Sequence, residues 1–178
     1  MKNYLRKVTM IVTLISFVFF SATISAQEDK SQRPSPPAKV SENVGNTLVT
    51  IDYSQPSVKG REIWGGLVPY AKVWRTGANE ATTFETSTDV SVEGESLKAG
   101  KYGLFTIPGE NEWVIIFNSV SDQWGAFSYD ESKDVLRVKV KSEQVADNTE
   151  KMTFKISDDG MVSLMWEKLV VNFNVSGS

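Results

Sequence analysis

One short stretch of the chain, residues 74–80, combines the side-chain types that bind small polar molecules. It reads Trp-Arg-Thr-Gly-Ala-Asn-Glu, so a guanidinium, a hydroxyl, an amide and a carboxylate follow an indole within one turn-forming segment. Arg75 offers a planar fork for a carboxylate or phosphate, whereas Asn79 and Glu80 suit sugar hydroxyls. Trp74 could stack on the apolar face of a sugar ring. This stretch is the first candidate ligand site.

A structural explanation competes with that interpretation. Arg75 can instead pair with Glu80, or with Asp52, across a turn in which Gly77 bends the chain. Asn79 would then take a left-handed backbone conformation. Under this explanation the polar side chains satisfy one another and hold no ligand.

A second stretch, residues 122–131, alternates aromatic residues with carboxylates and has a poor strand pattern. Asp122, Trp124 and Tyr129 are its candidate ligand contacts, because aromatic residues on loops can form platforms for carbohydrate. The alternative is that Trp124, Phe127 and Tyr129 belong to the core, with Phe127 and Tyr129 on one face of a strand. The sequence leaves this choice open.

Several carboxylates are available for acid–base chemistry. They are Asp52, Glu80, Glu85, Asp122, Asp130 and Glu131. A glycosidase would need two of them roughly 5–5.5 Å apart for retention, or 6.5–9.5 Å apart for inversion. The sequence does not fix such a separation.

Missing residue types exclude several mechanisms. The chain has no histidine and no cysteine, which rules out Ser-His-Asp and Cys-His catalysis, zinc sites of the usual Cys/His kind, and disulfides. The glycine-rich phosphate-binding motifs are also absent. Asp158-Asp159-Gly160 lacks the alternating acidic ligands of an EF-hand loop and predicts a turn. We therefore predict no cofactor and no metal site, and we assign no catalytic residue.

Residues 1–26 have the pattern of a secretory signal peptide. Lys2, Arg6 and Lys7 precede an uncharged run over residues 8–20, and Ala26 is the small residue expected before a cleavage point. At ~1.5 Å per residue the run is only about 20 Å long as a helix, which is short of the ~30 Å hydrocarbon core of a membrane. We predict a periplasmic or secreted protein that is soluble after cleavage.

Cleavage there leaves an acidic chain of one domain. It removes three basic residues and no acidic one, so the formal net charge changes from −3 to −6. With no Lys/Arg cluster longer than a pair, we expect neither nucleic acid nor a membrane surface as a partner. Residues 27–39 contain three prolines and few apolar residues, and predict a flexible leader. The domain itself is expected over residues 40–176.

That region has the period-two pattern of half-buried β-strands. Asp134–Lys141 and Lys151–Ser157 are the clearest runs, and the final run changes parity near Glu167-Lys168, which predicts a bulge or turn. Trp113–Asn118 is also predicted as a strand, and its run Trp113–Phe117 is apolar on both faces, as in a central strand. The remaining predicted strands are Thr47–Tyr53, Lys72–Arg75, Ala81–Thr86, Asp89–Val92 and Lys101–Ile107. About nine strands and almost no helical periodicity predict an all-β domain, an antiparallel β-sandwich or jelly roll, with a barrel as the alternative.

Four pieces of the sequence resemble a known family. They are GREIWGGLVPYAKVWRTGANEA at 60–81, LKAGKYGLFTIP at 97–108, DQWGAFSYD at 122–130 and LMWE at 164–167. Their order and spacing are similar to the domain of unknown function 2911 family, exported bacterial proteins common in Bacteroidetes. The resemblance spans most of residues 36–175 and implies a β-rich exported domain. It implies no established activity and brings no catalytic residue to this chain.

One function is favoured and two alternatives stay open. The favoured function is a non-enzymatic module that binds a small polar or carbohydrate-like ligand. Its predicted ligand-binding residues are Trp74, Arg75, Asn79, Glu80, Asp122, Trp124 and Tyr129. The first alternative is a glycan hydrolase that uses Glu80 with Asp122 or Asp130. The second is a structural or protein-interaction domain without a small ligand, which predicts a buried Arg75–Glu80 pair; the sequence identifies no protein partner.

Overall fold

Alternating apolar and polar residues build an antiparallel sheet of nine strands in the computed structural model, which describes residues 29–177. The strands are β1 (Pro37–Val44), β2 (Thr47–Ser54), β3 (Thr83–Thr86), β4 (Val90–Val92), β5 (Glu95–Leu97), β6 (Gly100–Ile107), β7 (Glu112–Asn118), β8 (Asp134–Ile156) and β9 (Met161–Gly177). Two short 3₁₀ turns, Lys30–Gln32 and Glu131–Lys133, are the helical segments of this range. The predicted all-β class is confirmed. The predicted signal peptide, residues 1–26, lies outside the described residues.

The sheet folds back on itself through its two longest strands. In space the strands follow the order β1-β2-β3-β6-β7-β8-β9-β4-β5. The first part of β8 pairs with β7 and the remainder with β9, whose end pairs with β4. Phe84 of β3 and Phe117 of β7 contact Phe173 of β9, with ring centroids 6.5 and 6.2 Å apart. The two parts of the folded sheet therefore enclose a common core.

Three details of the last strands agree with their sequence pattern. Glu167 has a φ of 55°, and this irregularity in β9 explains the change of parity. Asp158-Asp159-Gly160 forms the turn between β8 and β9. Gly160 is required there, because its φ is 91° and a Cβ would lie 1.9 Å from the carbonyl oxygen of Val175.

Trp113–Phe117 lies in β7, which has β6 and β8 as neighbours.

Other details differ from the sequence pattern. β8 is one continuous strand, whereas Asp134–Lys141 and Lys151–Ser157 were predicted as two. The residues between them are largely exposed, so burial imposes no apolar alternation on them. Lys72–Arg75 is not a strand, because β3 occupies the neighbouring part of β6 and only Trp74 forms a bridge, to Thr106.

The sequence pattern missed β1 and β5. β1 begins at Pro37, inside the stretch predicted as a leader, and it lies at the edge of the sheet. Glu42 stands at one of its half-buried positions and interrupts the apolar series of Ala38, Val40 and Val44. β5 has only three residues, too few for a periodic pattern.

Four tryptophans pack together, two from the connection between β2 and β3, one from β7 and one from β9. Trp64 makes edge contacts with Trp113 and Trp166, with ring centroids 5.0 and 5.7 Å apart. Trp74 stacks on Trp166 at 5.9 Å with an angle of 15° between the rings. We refer to these four residues as the tryptophan cluster. Trp74, Trp113 and Trp166 belong to the buried core and Trp64 packs against it, so the cluster supports the segment that carries Arg75.

Candidate functional site

The 74–80 stretch lies in the long connection between β2 and β3, where backbone hydrogen bonds hold it against β6. The Trp74 N–H donates to the Thr106 carbonyl at 2.8 Å, and the Thr106 N–H donates back to Trp74 at 2.9 Å. The Thr82 N–H donates to the Arg75 carbonyl at 3.2 Å. Arg75 is thus carried by a segment that is hydrogen-bonded on both sides.

Two left-handed residues bend the chain directly after Arg75. Thr76 has a φ of 55° and Asn79 a φ of 58°, so the left-handed conformation predicted for Asn79 is confirmed. Thr76 is β-branched and fully buried, and residues of that kind adopt positive φ only where the surroundings enforce it. Gly77 has another role, because a Cβ there would lie 3.1 Å from the Ser54 carbonyl oxygen. The bend is therefore made by Thr76 and Asn79, and Gly77 permits close packing.

Asn79 and Glu80 both bind the segment that precedes β1, residues 29–36, which we call the N-terminal segment. The Asn79 amide donates to the Ser35 carbonyl at 2.9 Å. The Glu80 carboxylate pairs with Lys30 at 2.8 Å and with Arg33 at 2.9 Å. Burial would raise the pKa of Glu80, but the hydrogen bonds from Lys30 and Arg33 outweigh it and lower that pKa to about 2. These contacts fasten the N-terminal segment over the 74–80 stretch.

The ion pair predicted between Arg75 and Glu80 is not formed, because Glu80 is paired with Lys30 and Arg33. The other predicted partner, Asp52, lies 3.6 Å from Lys39 and 3.9 Å from Lys101. Within residues 29–177 no carboxylate pairs with Arg75, and its Nε is buried without a hydrogen-bond partner. Burial lowers the pKa of Arg75, and no anionic neighbour opposes that shift. The guanidinium is a half-buried cation without a counter-ion among the described residues.

Arg75 stands between two cavities, which we call together the Arg75 cleft. The first has a volume of about 310 Å³, and its lining includes Ser35, Arg61, Trp74, Asn79 and Trp166. The second has a volume of about 340 Å³, and its lining includes Leu67, Lys72, Val73, Ala126 and Phe127. Leu67, Trp74 and Arg75 line both cavities. Trp74 is only 9% exposed, so its ring serves the tryptophan cluster and does not offer an open platform.

The second predicted stretch lies beside the first. The Gly125 N–H donates to the Asn79 carbonyl and the Ala81 N–H donates to the Gln123 carbonyl, both at 3.0 Å. Trp124 is 56% exposed, and the Arg33 guanidinium lies 5.8 Å from its ring centroid. Of the predicted site residues, Trp74, Arg75 and Asn79 line the first cavity, whereas Glu80 and Asp122 line a separate surface depression of about 470 Å³.

Tyr129 takes part in a different cluster. Its ring packs on Phe105 at 5.0 Å, and its hydroxyl donates to Asp134 at 2.6 Å while accepting from Arg137 at 2.9 Å. Burial, together with the hydrogen bond to Asp134, raises the pKa of Tyr129 to about 12. Phe127, which the sequence offered as a core residue, is 87% exposed and lines the second cavity. Sequence reasoning missed both Phe127 and Arg61 as cleft residues.

Two of the three carboxylates of the hydrolase hypothesis, Glu80 and Asp130, are engaged in other contacts. Asp130 caps the Glu131–Lys133 turn by accepting from the Ser132 N–H. Hydrogen bonds from the side chain and the backbone of Ser132 lower the pKa of Asp130. Glu80 is bound by two cations. Among residues 29–177 no three acidic side chains converge as metal ligands would. The same part of the chain contains no helix with the length and hydropathy needed to cross a membrane.

Comparisons with curated proteins and with solved structures found no match to this chain. A family model described as Protein of unknown function (DUF2911) does match, over residues 35–175. The matched range begins just before β1, ends within β9 and includes both predicted stretches. The resemblance carried by the four sequence pieces is confirmed, and the chain belongs to the DUF2911 family.

Proposed function

We propose that this domain is a non-enzymatic module that binds a small polar or carbohydrate-like ligand in the Arg75 cleft. The observation that carries the proposal is the guanidinium of Arg75, which is half-buried between two cavities and has no carboxylate partner among the described residues. A buried cation without a counter-ion costs free energy, and hydrogen-bond acceptors of a ligand would offset that cost. Asn79 and Ser35 add polar groups to the first cavity.

The hydrolase alternative has less support. Its central residue, Glu80, is bound by Lys30 and Arg33, and its pKa of about 2 is opposite to the raised pKa that a general acid needs. Asp130 also has a lowered pKa and does not line the depression that Glu80 and Asp122 share. The alternative of a domain without a small ligand predicts an Arg75–Glu80 pair, whereas Glu80 is paired with Lys30 and Arg33.

The proposal includes export, so that the module works in the periplasm or outside the cell. The support for export is the pattern of residues 1–26, in which basic residues precede an uncharged run and Ala26. The intact mass of the purified protein tests this part, because cleavage after Ala26 leaves Gln27 as the first residue. A mass equal to that of the whole chain would contradict it.

A thermal unfolding screen tests the binding function. The purified protein is heated with neutral sugars, sugar acids, amino acids and phosphates, each in wild type, Arg75→Gln and Lys98→Gln. Lys98→Gln is the matched control, because it removes one positive charge from an exposed side chain that lines neither cavity of the cleft. A ligand at about 100 times its dissociation constant stabilises the fold by about 2.7 kcal/mol. We expect Arg75→Gln alone to lose this effect.

The stability of Arg75→Gln without ligand separates binding from a structural role. Since Arg75 forms no ion pair within residues 29–177, we expect its replacement to change the free energy of unfolding by less than about 1 kcal/mol in either direction. Breaking a buried ion pair would instead cost about 3–5 kcal/mol. A loss of that size, together with no ligand effect in wild type, would support the domain without a small ligand.

A further inference from the structure

The charges around the Arg75 cleft narrow the class of ligand. Arg61 and Arg75 line the first cavity, and Lys72 and Arg75 line the second. Neither cavity has an aspartate or glutamate among its described lining residues. The chain as a whole carries a net charge of −3. The cleft is therefore lined by positive charge although the chain is acidic overall. An anion would be attracted to the cleft.

Arg61 is held in place by the backbone. Its Nε donates to the Val58 carbonyl at 3.1 Å, and one of its terminal nitrogens donates to the Ser57 carbonyl. These acceptors are uncharged carbonyl groups, so they orient the guanidinium of Arg61 at the first cavity without pairing it with a negative charge. A side chain that is already oriented loses less conformational entropy when it binds a ligand. The cleft thus combines one fixed cation with one half-buried cation.

The second cavity adds apolar surface to this charge. Phe127 is 87% exposed and Leu67 is exposed as well, and both line that cavity with Val73 and Ala126. Covering a water-exposed phenyl ring with the apolar part of a ligand is favourable, because it removes apolar surface from water. Because Leu67 and Arg75 line both cavities, the apolar surface is continuous with the charged one.

Resting on the proposed function, we infer that the ligand of the Arg75 cleft is an amphipathic anion. Its carboxylate or phosphate group binds the guanidinium of Arg75, and its apolar body covers Leu67 and Phe127. A neutral sugar would leave the Arg75 charge without a counter-ion and the Phe127 ring in water. An inorganic anion would satisfy the charge alone.

Titrations followed by NMR test this inference, since fragments of a ligand bind weakly. The probes are 4-phenylbutyrate, its neutral amide, phenyl phosphate, acetate and inorganic phosphate. We expect the phenyl-bearing anions to bind at least tenfold more tightly than the neutral amide, acetate or inorganic phosphate. Comparison of 4-phenylbutyrate with phenyl phosphate then identifies the acidic group.

Substitutions test which residue binds the acidic group of the ligand and which contacts its apolar body. Arg75→Gln should weaken the phenyl-bearing anions at least tenfold, and Lys98→Gln should leave their affinity unchanged. Phe127→Ser changes an exposed residue, so we expect the fold to be retained. It should lower the affinity for the two phenyl-bearing anions several-fold and leave the affinity for acetate and inorganic phosphate unchanged. Arg75→Lys is a second variant that keeps the charge and removes the planar fork; it should bind more weakly than wild type and more tightly than Arg75→Gln.

The outcomes separate this inference from the proposed function. Equal affinity for 4-phenylbutyrate and its amide, or unchanged affinity in Arg75→Gln, would overturn the inference. If neutral sugars stabilise wild type but not Arg75→Gln, and no anionic probe binds, the binding function stands and the amphipathic anion is wrong. If nothing in either experiment binds, both are wrong.

Discussion

Glu80 and Arg33 form a hydrogen-bonded ion pair of 2.9 Å across 47 positions of the sequence. Lys30 binds the same carboxylate at 2.8 Å, so the N-terminal segment supplies two cations to one acid. The pair fastens this segment beside the 74–80 stretch. It also engages the carboxylate of Glu80, which the sequence predicted as a partner of Arg75. Within residues 29–177, Arg75 therefore has no carboxylate partner, and Glu80 is bound by residues that are distant in the sequence.

The ion pairs of Glu80 make stability depend on pH. Its pKa is lowered from an ordinary 4.5 to about 2, so the folded state favours the charged carboxylate. The resulting stabilisation is present above about pH 4.5 and is lost as the pH falls towards 2. Because the Glu80 side chain is 38% exposed, solvent screening limits the effect, and we expect Glu80→Gln to lower the free energy of unfolding by about 1 kcal/mol or less at pH 7.

Urea denaturation of wild type and Glu80→Gln at pH 7 and pH 3 measures that difference. It should be smaller at pH 3, where part of the stabilisation is already lost. Glu85→Gln is the matched control, because Glu85 is exposed and its contact with Lys101 is 3.9 Å long, so we expect a smaller loss. A difference that stays constant between the two pH values would contradict the ion pairs of Glu80.

The regular strands were predictable because each run satisfies a local burial rule. Val162, Leu164 and Trp166 alternate inward before Glu167, and Leu169 and Val171 continue inward after it. One face of such a strand packs against the core, and apolar residues at every second position of the sequence identify that face. β1 was not predictable in this way, because it is an edge strand that is only half-buried and Glu42 breaks its pattern.

The candidate site was predictable only where short-range geometry decides it. The left-handed Asn79 follows from its own backbone preference. The covering of Trp74 by Trp166 and the pairing of Glu80 with Arg33 depend on residues that the fold brings together from distant positions. A tryptophan flanked by polar residues looks the same in sequence whether it faces a ligand or the core. Arg61 and Phe127 also line the cleft only because the fold brings separate loops together, so local sequence did not identify them.

Two tryptophans near the cleft should respond very differently to substitution. Trp74 belongs to the tryptophan cluster and stacks on Trp166, so Trp74→Ala leaves a large cavity in the core. We expect it to lower the free energy of unfolding by about 3–5 kcal/mol. Trp124 is 56% exposed, and we expect Trp124→Ala to cost less than about 1 kcal/mol.

Guanidinium denaturation followed by far-ultraviolet circular dichroism compares the two tryptophan variants on the same scale. Each variant removes one indole, so the pair controls for the change in residue type. A loss in Trp74→Ala as small as the one expected for Trp124→Ala would mean that Trp74 is not a core residue, and would restore it as a candidate platform for a ligand.

Tyr129 should act on the stability of its loop and not on the ligand. Its hydroxyl joins Asp134 and Arg137, and its ring packs on Phe105. Tyr129→Phe removes the hydroxyl but keeps the ring, so we expect the free energy of unfolding to fall by about 1–2 kcal/mol. The pKa of Tyr129 is raised from an ordinary 10.0 to about 12, so its stabilisation is present below pH 10 and is lost as the pH rises towards 12.

Tyrosinate absorbance and ligand-induced stabilisation together decide the role of Tyr129. The most alkaline phase of the absorbance titration should disappear in Tyr129→Phe and persist in Tyr102→Phe, which removes a hydroxyl bonded to the Lys98 carbonyl. The ligand found in the thermal screen should stabilise Tyr129→Phe as strongly as wild type, because Tyr129 lines neither cavity of the Arg75 cleft. Loss of that stabilisation would return Tyr129 to the ligand-binding residues; its retention would assign the side chain to holding the loop that presents Trp124 and Phe127.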